Sequence, residues 1–266
     1  MTSAREIGTV ELASGIQMPL LGLGTWQMRG KTAYAAVSAA LELGYRNVDT
    51  AQMYANEDEV GRALAESGLP RDDVFVTTKM WPDRAGHERE SLLQSLEALG
   101  LDRVDLWLIH WPPRGGARPD VWERFLDAAR DGLARAVGVS NYDVRQIDEL
   151  VGATGQAPAV NQIEWGPALY DPAIVTAHRE LGVRLEAYSP LRTTNLRDRR
   201  LVRIADDHGA TPAQVVIRWH LQHGIPAIPK SSHRDRIAEN AGVFGFELSD
   251  AEMGSIDALG PAARRD

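Results

Sequence analysis

Four residues of complementary chemistry lie at or just after the ends of three consecutive apolar segments. Asp49, Lys79 and His110 each end such a segment, and Tyr54 follows Asp49 by five positions. An isolated tyrosine is a poor acid at pH 7, because its pKa is about 10. A neighbouring ammonium stabilises the phenolate and lowers that pKa. The set indicates a tyrosine that Lys79 and Asp49 adjust for proton transfer to a substrate oxygen, which His110 would hold by a hydrogen bond.

Each of these residues has a more common structural role when it occurs alone. A tyrosine after a strand usually packs, an aspartate at a strand end usually caps a turn, and a lysine is usually solvated. Their presence at the ends of three successive segments favours a shared site. Lys79 could instead form a Schiff base with a substrate, as in aldolase-type barrels, but Asp49 beside it would keep the amine charged and disfavour a nucleophile.

The segments that carry these residues belong to a regular alternation of short apolar runs and longer stretches with helical periodicity. Strands are predicted over residues 20–24, 46–49, 74–78, 104–110, 136–140, 160–164, 184–188 and 227–229. Helices are predicted over residues 32–43, 57–67, 87–99, 121–130, 143–151, 171–181, 211–222 and 235–243. Such alternation implies a parallel sheet. Eight units in 266 residues favour an α/β fold closed into a (β/α)8 TIM barrel, which typically takes about 250 residues.

Three further elements are predicted outside the eight units. Residues 10–18 alternate around a Ser-Gly pair, which predicts an N-terminal β-hairpin at the bottom of the barrel. Residues 197–207 and 252–259 predict extra helices near the C-terminus. No composition shift marks a linker, so we expect residues 1–266 to form a single barrel domain.

In a TIM barrel the catalytic groups lie at the carboxyl ends of the strands. This rule selects polar residues directly after the predicted apolar runs. They are Asp49, Lys79, His110, Ser140, Asn141, residues 162–164, Tyr188, Ser189, Lys230 and Ser231. We therefore expect these side chains to share one site.

Composition limits the classes of partner. The net charge of −8 argues against a nucleic-acid partner, because nucleic-acid-binding surfaces are usually basic. The absence of cysteine excludes a disulfide framework, thiol catalysis and cysteine-ligated metal. No apolar run is long enough to cross a bilayer, and residues 1–12 lack the apolar core of a signal peptide. We expect a cytoplasmic monomer or weak homodimer without a membrane partner.

Familiar nucleotide and metal motifs are incomplete in this sequence. The segment that begins at Gly22 has Gln27 where a Rossmann fingerprint requires its third glycine. The P-loop spacing after Gly24 is one residue too long. His220 and His223 lack the glutamate of a HExxH motif, so we expect packing or surface roles for them and no bound metal.

Five segments within residues 10–259 occur together in a specific order. They are Gly22-Leu23-Gly24-Thr25-Trp26, YRNVDTAQMYANEDEVG from Tyr45, LWLIHWP from Leu106, Val139-Ser140-Asn141, and IPKSSHRDRIAEN from Ile228. On these segments the sequence resembles the aldo-keto reductase superfamily, and in particular its short bacterial members, which include diketogluconate reductases. The fold of that family is a TIM barrel, in agreement with the eight predicted units.

The resemblance implies an NADPH-dependent oxidoreductase that reduces the carbonyl group of a small-molecule aldehyde or ketone. Tyr54 would be the general acid, with Lys79 and Asp49 adjusting its pKa and His110 orienting the carbonyl. The implied cofactor site consists of Gly24, Thr25, Trp26, Ser140, Asn141, Gln162, Tyr188, Ser189, Leu191, Lys230, Ser231, Arg236, Glu239 and Asn240. The alternative is a non-catalytic NADP(H)-binding regulatory module of the same fold, against which the complete set of four residues argues.

The implied contacts divide by the part of the cofactor. The nicotinamide carboxamide would be held by Ser140, Asn141 and Gln162. The nicotinamide ring would stack on Tyr188, and the pyrophosphate would run along Ser189 and Leu191. The 2′-phosphate would lie on Lys230, Ser231 and Arg236, and the adenine on Glu239 and Asn240. Lys230, Ser231 and Arg236 also form a cationic, donor-rich segment in an acidic protein, which suits an anion.

The substrate pocket is expected to be aromatic and open. Trp26, Trp81 and Trp111 each follow a predicted strand end, which indicates a lining for apolar aldehydes or ketones. The sequence departs from the family pattern at residues 165–167 (WGP) and at residues 192–195 (RTTN). Only seven residues follow Leu259, so we expect no long C-terminal loop over the pocket.

Overall fold

The first described elements form a two-stranded hairpin. The computed structural model of the protein describes residues 8–13, 15–113 and 116–261. Strands β1 (Thr9–Glu11) and β2 (Gln17–Pro19) pair antiparallel, with Val10 opposite Met18. The hairpin is therefore where the alternating sequence predicted it, although Ser14 of the predicted Ser-Gly pair lies outside the described residues.

The wall of the barrel is a ring of parallel strands. Among the described residues, one sheet contains eight strands that pair in chain order: β3 Leu23–Gly24, β4 Asn47–Asp49, β5 Phe75–Met80, β6 Val104–Ile109, β7 Ala134–Ser140, β8 Val160–Glu164, β9 Arg184–Tyr188 and β10 Ala227–Ile228. Each predicted strand overlaps one of them. Parallel neighbours bring the carboxyl ends of all the strands to one rim.

The ring closes between its first and last strands. Leu21 forms a parallel bridge with Ala227, whose backbone N–H donates to the Leu20 carbonyl at 2.9 Å. A Cβ atom at Gly24 would lie 2.8 Å from the backbone oxygen of Ile228, so the close approach of the two strands requires glycine here. The prediction of a (β/α)8 TIM barrel is confirmed.

Helices cover the outside of the ring. The described residues contain α1 Lys31–Glu42, α2 Glu57–Glu66, α3 Glu88–Leu99, α4 Pro119–Arg130, α5 Val144–Thr154, α6 Pro172–Glu180, α7 Arg199–Asp207, α8 Pro212–Gln222, α9 Arg234–Ala241 and α10 Asp250–Asp257. Helices α7 and α10 are the two predicted extra helices. Across the described part of the chain, no helix combines the length and apolarity needed to span a membrane.

Two predicted helix ends differ from the structure. The helix predicted over residues 235–243 ends at Ala241, and Gly242–Gly245 forms a 3-10 turn, because glycines at both ends of that segment disfavour further α-helix. The helix predicted over residues 143–151 continues to Thr154. It ends at Gly155 with φ 70°, a left-handed C-terminal cap that the prediction overlooked.

Side-chain alternation along the strands separates the barrel interior from the outer core. Trp107 of β6 faces outward and stacks on Phe125 of α4, with ring centres 3.6 Å apart. Its neighbours Leu106 and Leu108 belong instead to the cluster that contains the hairpin residue Met18. The hairpin therefore plugs the bottom of the barrel, as predicted, and the same alternation turns polar residues inward near the rim.

Candidate active site

Lys79 lies near the end of β5, inside the barrel, and its side chain is fully buried. Its Nζ atom lies 2.6 Å from each carboxylate oxygen of Asp49 and donates a third hydrogen bond to the Thr50 carbonyl at 2.8 Å. Burial alone would lower the pKa of Lys79, but the charge of Asp49 and of nearby groups raises it above its usual value. Lys79 is therefore an ammonium ion at neutral pH.

Tyr54 reaches this ion pair from a short turn after β4. Residues Gln52–Tyr54 form a 3-10 turn that ends at Ala55 in the left-handed conformation, with φ 51°. The Lys79 Nζ lies 5.3 Å from the centre of the Tyr54 ring. Burial raises the pKa of Tyr54, and the positive charge of Lys79 lowers it by a smaller amount, so the pKa stays above its usual value.

That balance corrects one expectation from the sequence. Lys79 acts on the pKa of Tyr54 in the predicted direction, but the cost of burying a phenolate exceeds its effect. The phenol is protonated at neutral pH, which is the state that a proton donor requires. The Lys79 ammonium lies close to the ring, where its charge favours the phenolate form of Tyr54.

His110 follows β6 and faces the Tyr54 ring. The two ring centres are 5.6 Å apart in an edge-on arrangement, and Trp81 makes an equivalent contact on His110 at 5.6 Å. Burial, reinforced by the charge of Lys79, lowers the pKa of His110 to about 3. A neutral imidazole carries one N–H, so His110 can donate a hydrogen bond to a substrate oxygen without being an acid.

Hydrogen bonds join the ends of β6, β7 and β9 beside these residues. The Asn141 amide donates to the His110 carbonyl at 3.2 Å and to the Ser140 hydroxyl at 2.9 Å. The Tyr188 hydroxyl donates to Asn141 Oδ1 at 2.9 Å. Asn141 has φ 63°, a conformation that asparagine tolerates better than most residues and that lets its amide bridge three groups.

Gln162 links the ion pair to a carboxyl group that sequence analysis missed. Its Nε2 donates to Asp49 Oδ2 at 2.8 Å and to Glu186 Oε2 at 2.7 Å. Glu186 lies within β9 and is fully buried. A signal for it was present, because Glu186 is a carboxylate flanked by Leu185 and Ala187 in an otherwise apolar run.

These residues surround a pocket of about 340 Å³ at the carboxyl-terminal rim of the barrel. Its lining includes fourteen of the residues predicted for the site: Gly24, Trp26, Asp49, Tyr54, Trp81, His110, Trp111, Ser140, Asn141, Gln162, Glu164, Tyr188, Ser189 and Lys230. Lys79 lies beneath this surface. The strand-end rule therefore selected groups that the fold brings together.

The pocket mouth is apolar on one side and charged on the other. Trp26, Trp111 and Met53 are 41%, 45% and 45% exposed, so three large apolar side chains border the opening. Of these, Met53 was not predicted. On the charged side, Arg192 Nε lies 3.2 Å from Glu164 Oε1.

The two loops that depart from the family pattern pack against each other. A Cβ atom at Gly166 would lie 2.7 Å from Thr193 Oγ1 and 2.9 Å from the Pro190 carbonyl oxygen. Glycine is therefore required where the two loops cross. This packing holds Arg192 at the edge of the pocket.

Six of the predicted cofactor residues do not line the pocket: Thr25, Leu191, Ser231, Arg236, Glu239 and Asn240. The Thr25 hydroxyl is buried and donates to the Asp49 carbonyl at 2.9 Å. It therefore stabilises the backbone that carries Asp49. Leu191 packs against the apolar cores beside the barrel. The other four follow β10, on the approach to α9 and along it.

The segment around α9 presents free cationic groups. Lys230 and Arg236 are exposed, and neither forms an ion pair with any residue in the described ranges. Ser231 is buried, and its hydroxyl is 3.3 Å from the His233 carbonyl. The carboxylate of Glu239 accepts a hydrogen bond from the Thr211 hydroxyl at 2.7 Å, which the sequence did not indicate.

His220 in α8 and His223 just after it both contact other parts of the protein. His220 is fully buried, with Nδ1 2.7 Å from the Val216 carbonyl. His223 is partly exposed, and its Nε2 lies 2.9 Å from Asp257 Oδ1. The two side chains therefore engage different partners.

Comparison with known proteins identifies the family. The family model described as "Aldo/keto reductase family" matches residues 20–261. The chain belongs to the aldo/keto reductase family. It is 43% identical over 255 residues to the glyoxal reductase of Bacillus subtilis, covering 94% of this chain and 92% of that protein.

Other members of the family are also similar to this protein over nearly its whole length. The methylglyoxal reductase DkgA of Escherichia coli K12 is 39% identical over 259 residues, which cover 96% of this chain and 94% of that protein. The crystal structure of a Bombyx mori aldo-keto reductase in complex with NADP superposes with a TM-score of 0.91 at 32% identity, covering 97% of this chain and 94% of that one. This aldo-keto reductase is therefore an oxidoreductase that reduces carbonyl groups with NAD(P)H.

The donor set of this aldo-keto reductase fits a nicotinamide dinucleotide. Both N–H groups of Gln162 have acceptors, which leaves its carbonyl oxygen for the N–H donors of a carboxamide. The Tyr188 ring borders the same pocket. Lys230 and Arg236 are exposed cations that form no ion pair with any residue that the structure describes, which suits phosphate groups. Polar, stacking and cationic groups thus follow one another from the barrel rim toward α9.

Proposed function

We propose that this enzyme reduces small aldehydes, ketones and dicarbonyl compounds with NADPH, and that Tyr54 is the general acid. One observation carries the proposal. The Lys79–Asp49 ion pair is buried directly beneath the Tyr54 ring, while the other side of Tyr54 faces the pocket that also contains His110. This arrangement suits a phenol that must lose its proton to a substrate and regain it later.

The residues divide the reaction between them. The neutral imidazole of His110 donates a hydrogen bond to the carbonyl oxygen and holds it beside the Tyr54 hydroxyl. A bound NADPH would supply the hydride that the carbonyl carbon accepts. As negative charge develops on the oxygen, Tyr54 transfers its proton to it, and the resulting phenolate is stabilised by the ammonium of Lys79. Asp49 keeps that ammonium charged and in place.

The proposed cofactor contacts are those that similarity to the family implies. We assign the carboxamide to Ser140, Asn141 and Gln162, and the ring to Tyr188. The remaining nicotinamide-side residues are Gly24, Thr25 and Trp26, of which Thr25 acts through its backbone because its hydroxyl is committed to Asp49. The pyrophosphate is assigned to Ser189 and Leu191.

Preference for NADPH over NADH rests on the segment after β10. Lys230, Ser231 and Arg236 would hold the 2′-phosphate, and Glu239 and Asn240 the adenine. Charge-assisted hydrogen bonds are worth about 1.5–3 kcal/mol, less where water screens them, as it does at the exposed Arg236. We expect a preference of about tenfold or more.

The pocket supports compact substrates with an apolar part. Trp26, Trp81 and Trp111 supply flat apolar surface around a volume of about 340 Å³. The similar proteins named glyoxal reductase and methylglyoxal reductase support short dicarbonyl compounds as one substrate class. We expect the enzyme to be a monomer or a weak homodimer, which sedimentation velocity would test. We expect it to act in the cytoplasm.

A carbonyl panel tests the proposal. The purified enzyme is mixed with NADPH or NADH and with glyoxal, methylglyoxal, aliphatic aldehydes and aromatic aldehydes, and loss of the reduced cofactor is followed by absorbance. We expect carbonyl-dependent oxidation of NADPH. Tight NADPH binding with no turnover of any carbonyl would support the non-catalytic alternative instead.

A further inference from the structure

Glu186 is a fully buried carboxyl group for which the reaction described above has no role. It lies in the middle of β9, where Gln162 of β8 is its register partner. Among the described residues it forms no ion pair within salt-bridge distance. Burying an ionised carboxylate without a paired cation is costly, so a buried carboxyl group of this kind needs another explanation.

The contact with Gln162 fixes the orientation of an amide. A glutamine side chain has two N–H donors and one carbonyl oxygen. Asp49 Oδ2 and Glu186 Oε2 accept from Gln162 Nε2 at 2.8 Å and 2.7 Å, one on each side. Because both donors are occupied, only the carbonyl oxygen of Gln162 is left to face the pocket.

The protonation state of Glu186 follows from its other oxygen. Glu186 Oε1 and Asn47 Oδ1 are both buried and lack a hydrogen-bond partner among the described residues, although the two side chains are close enough to interact. A proton on Glu186 Oε1 would supply a donor at a buried place where this oxygen has no partner among the described residues. The neutral form of Glu186 therefore accounts for its unpartnered oxygen.

The surrounding charges favour the same state. Burial, followed by the negative charge of Asp49, raises the pKa of Glu186 to about 8. The charged groups that act on it are Asp49 and Lys79, and Lys79 is already engaged by both oxygens of Asp49. The side chains of Gln162 and Asn47 and the charge of Lys79 lower this pKa, but burial outweighs them and shifts Glu186 toward its neutral form.

We propose that Glu186 is a positioning residue that acts as a neutral carboxylic acid, holding the Gln162 amide so that its carbonyl oxygen receives the cofactor carboxamide. The inference rests on the proposed function, because it takes Gln162 to be a nicotinamide contact. Without Glu186, the Gln162 amide keeps Asp49 as an acceptor but loses its second restraint. Its rotation would then allow the nicotinamide ring to bind in more than one orientation.

Two substitutions separate this role from simple packing. Glu186→Gln keeps an oxygen for Gln162 and an N–H donor for Asn47, whereas Glu186→Met keeps the approximate volume and removes both. Thr77→Val is the matched control, because Thr77 is a buried residue of β5, beside Asp49 in the sheet register, whose hydroxyl has no partner among the described residues. Thermal unfolding verifies that each variant folds.

Cofactor binding and stereochemistry provide the measurements. Dissociation constants for NADPH and NADP⁺ are obtained from quenching of tryptophan fluorescence, and the transferred face is obtained with NADPH deuterated on either side of the ring. We expect Glu186→Met to weaken NADPH binding about tenfold, the equivalent of one hydrogen bond, and to transfer hydride from both faces. Glu186→Gln and Thr77→Val should match the parent within twofold and keep a single face.

A pH series tests the neutral state of Glu186 separately. Above pH 8 the parent should gain affinity for NADP⁺ relative to NADPH, because only the oxidised nicotinamide ring is positively charged and an ionised Glu186 adds negative charge near it. Glu186→Gln should show no such change. This comparison of the parent with Glu186→Gln tests the proposal even if Glu186→Met does not fold.

Several outcomes would overturn the proposal. The first is a folded Glu186→Met variant that binds NADPH as tightly as the parent and transfers hydride from a single face. The second is a Glu186→Gln variant as impaired as Glu186→Met. The third is the same pH dependence of cofactor affinity in the parent and in Glu186→Gln. Failure of the proposed function would look different, because the parent enzyme itself would then not bind NADPH or not reduce any carbonyl.

Discussion

Lys79 Nζ lies 2.6 Å from both carboxylate oxygens of Asp49, and neither side chain is more than 3% exposed. A buried ion pair contributes little net stability, since desolvation of the two charges offsets their attraction. Its presence beneath Tyr54 is therefore better explained by the chemistry than by folding. The pair supplies a fixed positive charge at the place where a phenolate must form.

Breaking the Lys79–Asp49 pair should cost both stability and activity. Asp49→Asn leaves a buried ammonium without its counterion, so we expect a loss of about 3–5 kcal/mol in the free energy of unfolding, measured by urea titration. The matched double variant Asp49→Asn with Lys79→Met removes both charges and should recover most of that stability but none of the activity. A single variant as stable as the parent would contradict this account.

Replacing the phenol should affect turnover alone. Tyr54→Phe removes the proton donor but keeps the ring that contacts His110, so kcat should fall by about 10²-fold or more. NADPH binding, followed by tryptophan fluorescence, should change by less than twofold, because the hydroxyl is assigned to the substrate. Near-parental kcat would remove Tyr54 from the role of general acid.

The strand ends of the site could be predicted from sequence because two regularities coincide there. Apolar runs that end in Asp49, Lys79 and His110 mark both the strand and the polar group that follows it. Alternation along β5 then turns Lys79 inward without further information. The same signals located the barrel, its plug and the extra helices.

The sequence alone could not predict how burial and nearby charges combine to set each pKa, or which distant residues form hydrogen bonds. The pKa of Tyr54 depends on how deeply the ring is buried, and burial outweighs the effect of Lys79. Glu186 gave only a weak signal, and its meaning depends on Gln162 from the adjacent strand. Glu239 is engaged by Thr211, which lies 28 residues away in the chain.

Cofactor preference should depend on one arginine of α9 and not on its neighbour. Arg236→Ala removes an unpaired cation that we assign to the 2′-phosphate, so KM for NADPH should rise about tenfold while KM for NADH stays the same. Arg234→Ala is the matched control, since Arg234 is an exposed arginine of the same helix that pairs with Glu42 at 2.5 Å. Equal effects of the two substitutions on NADPH would count against the assignment of Arg236.

His110 should make stability sensitive to acid. Its folded-state pKa of about 3 lies below the usual 6.5, so neutral His110 contributes stability above pH 6.5 that is lost as the pH falls from 6.5 toward 3. His110→Gln cannot be protonated, so its free energy of unfolding should fall less than the parent's between pH 6.5 and 4. The control His87→Gln replaces an exposed histidine and should follow the parent. Parallel curves for the parent and His110→Gln would refute the buried neutral state.

Glu186 should affect stability in the opposite pH range. Its folded-state pKa of about 8 lies above the usual 4.5, so the unfolded chain releases this proton first as the pH rises. The stability that the protonated form contributes is complete below pH 4.5 and declines until pH 8, where the folded state also loses the proton. Glu186→Gln has no proton to lose. Its free energy of unfolding relative to the parent should therefore increase between pH 5 and pH 8, as measured by urea titration at each pH, and a constant difference would show that Glu186 is ionised in the folded enzyme.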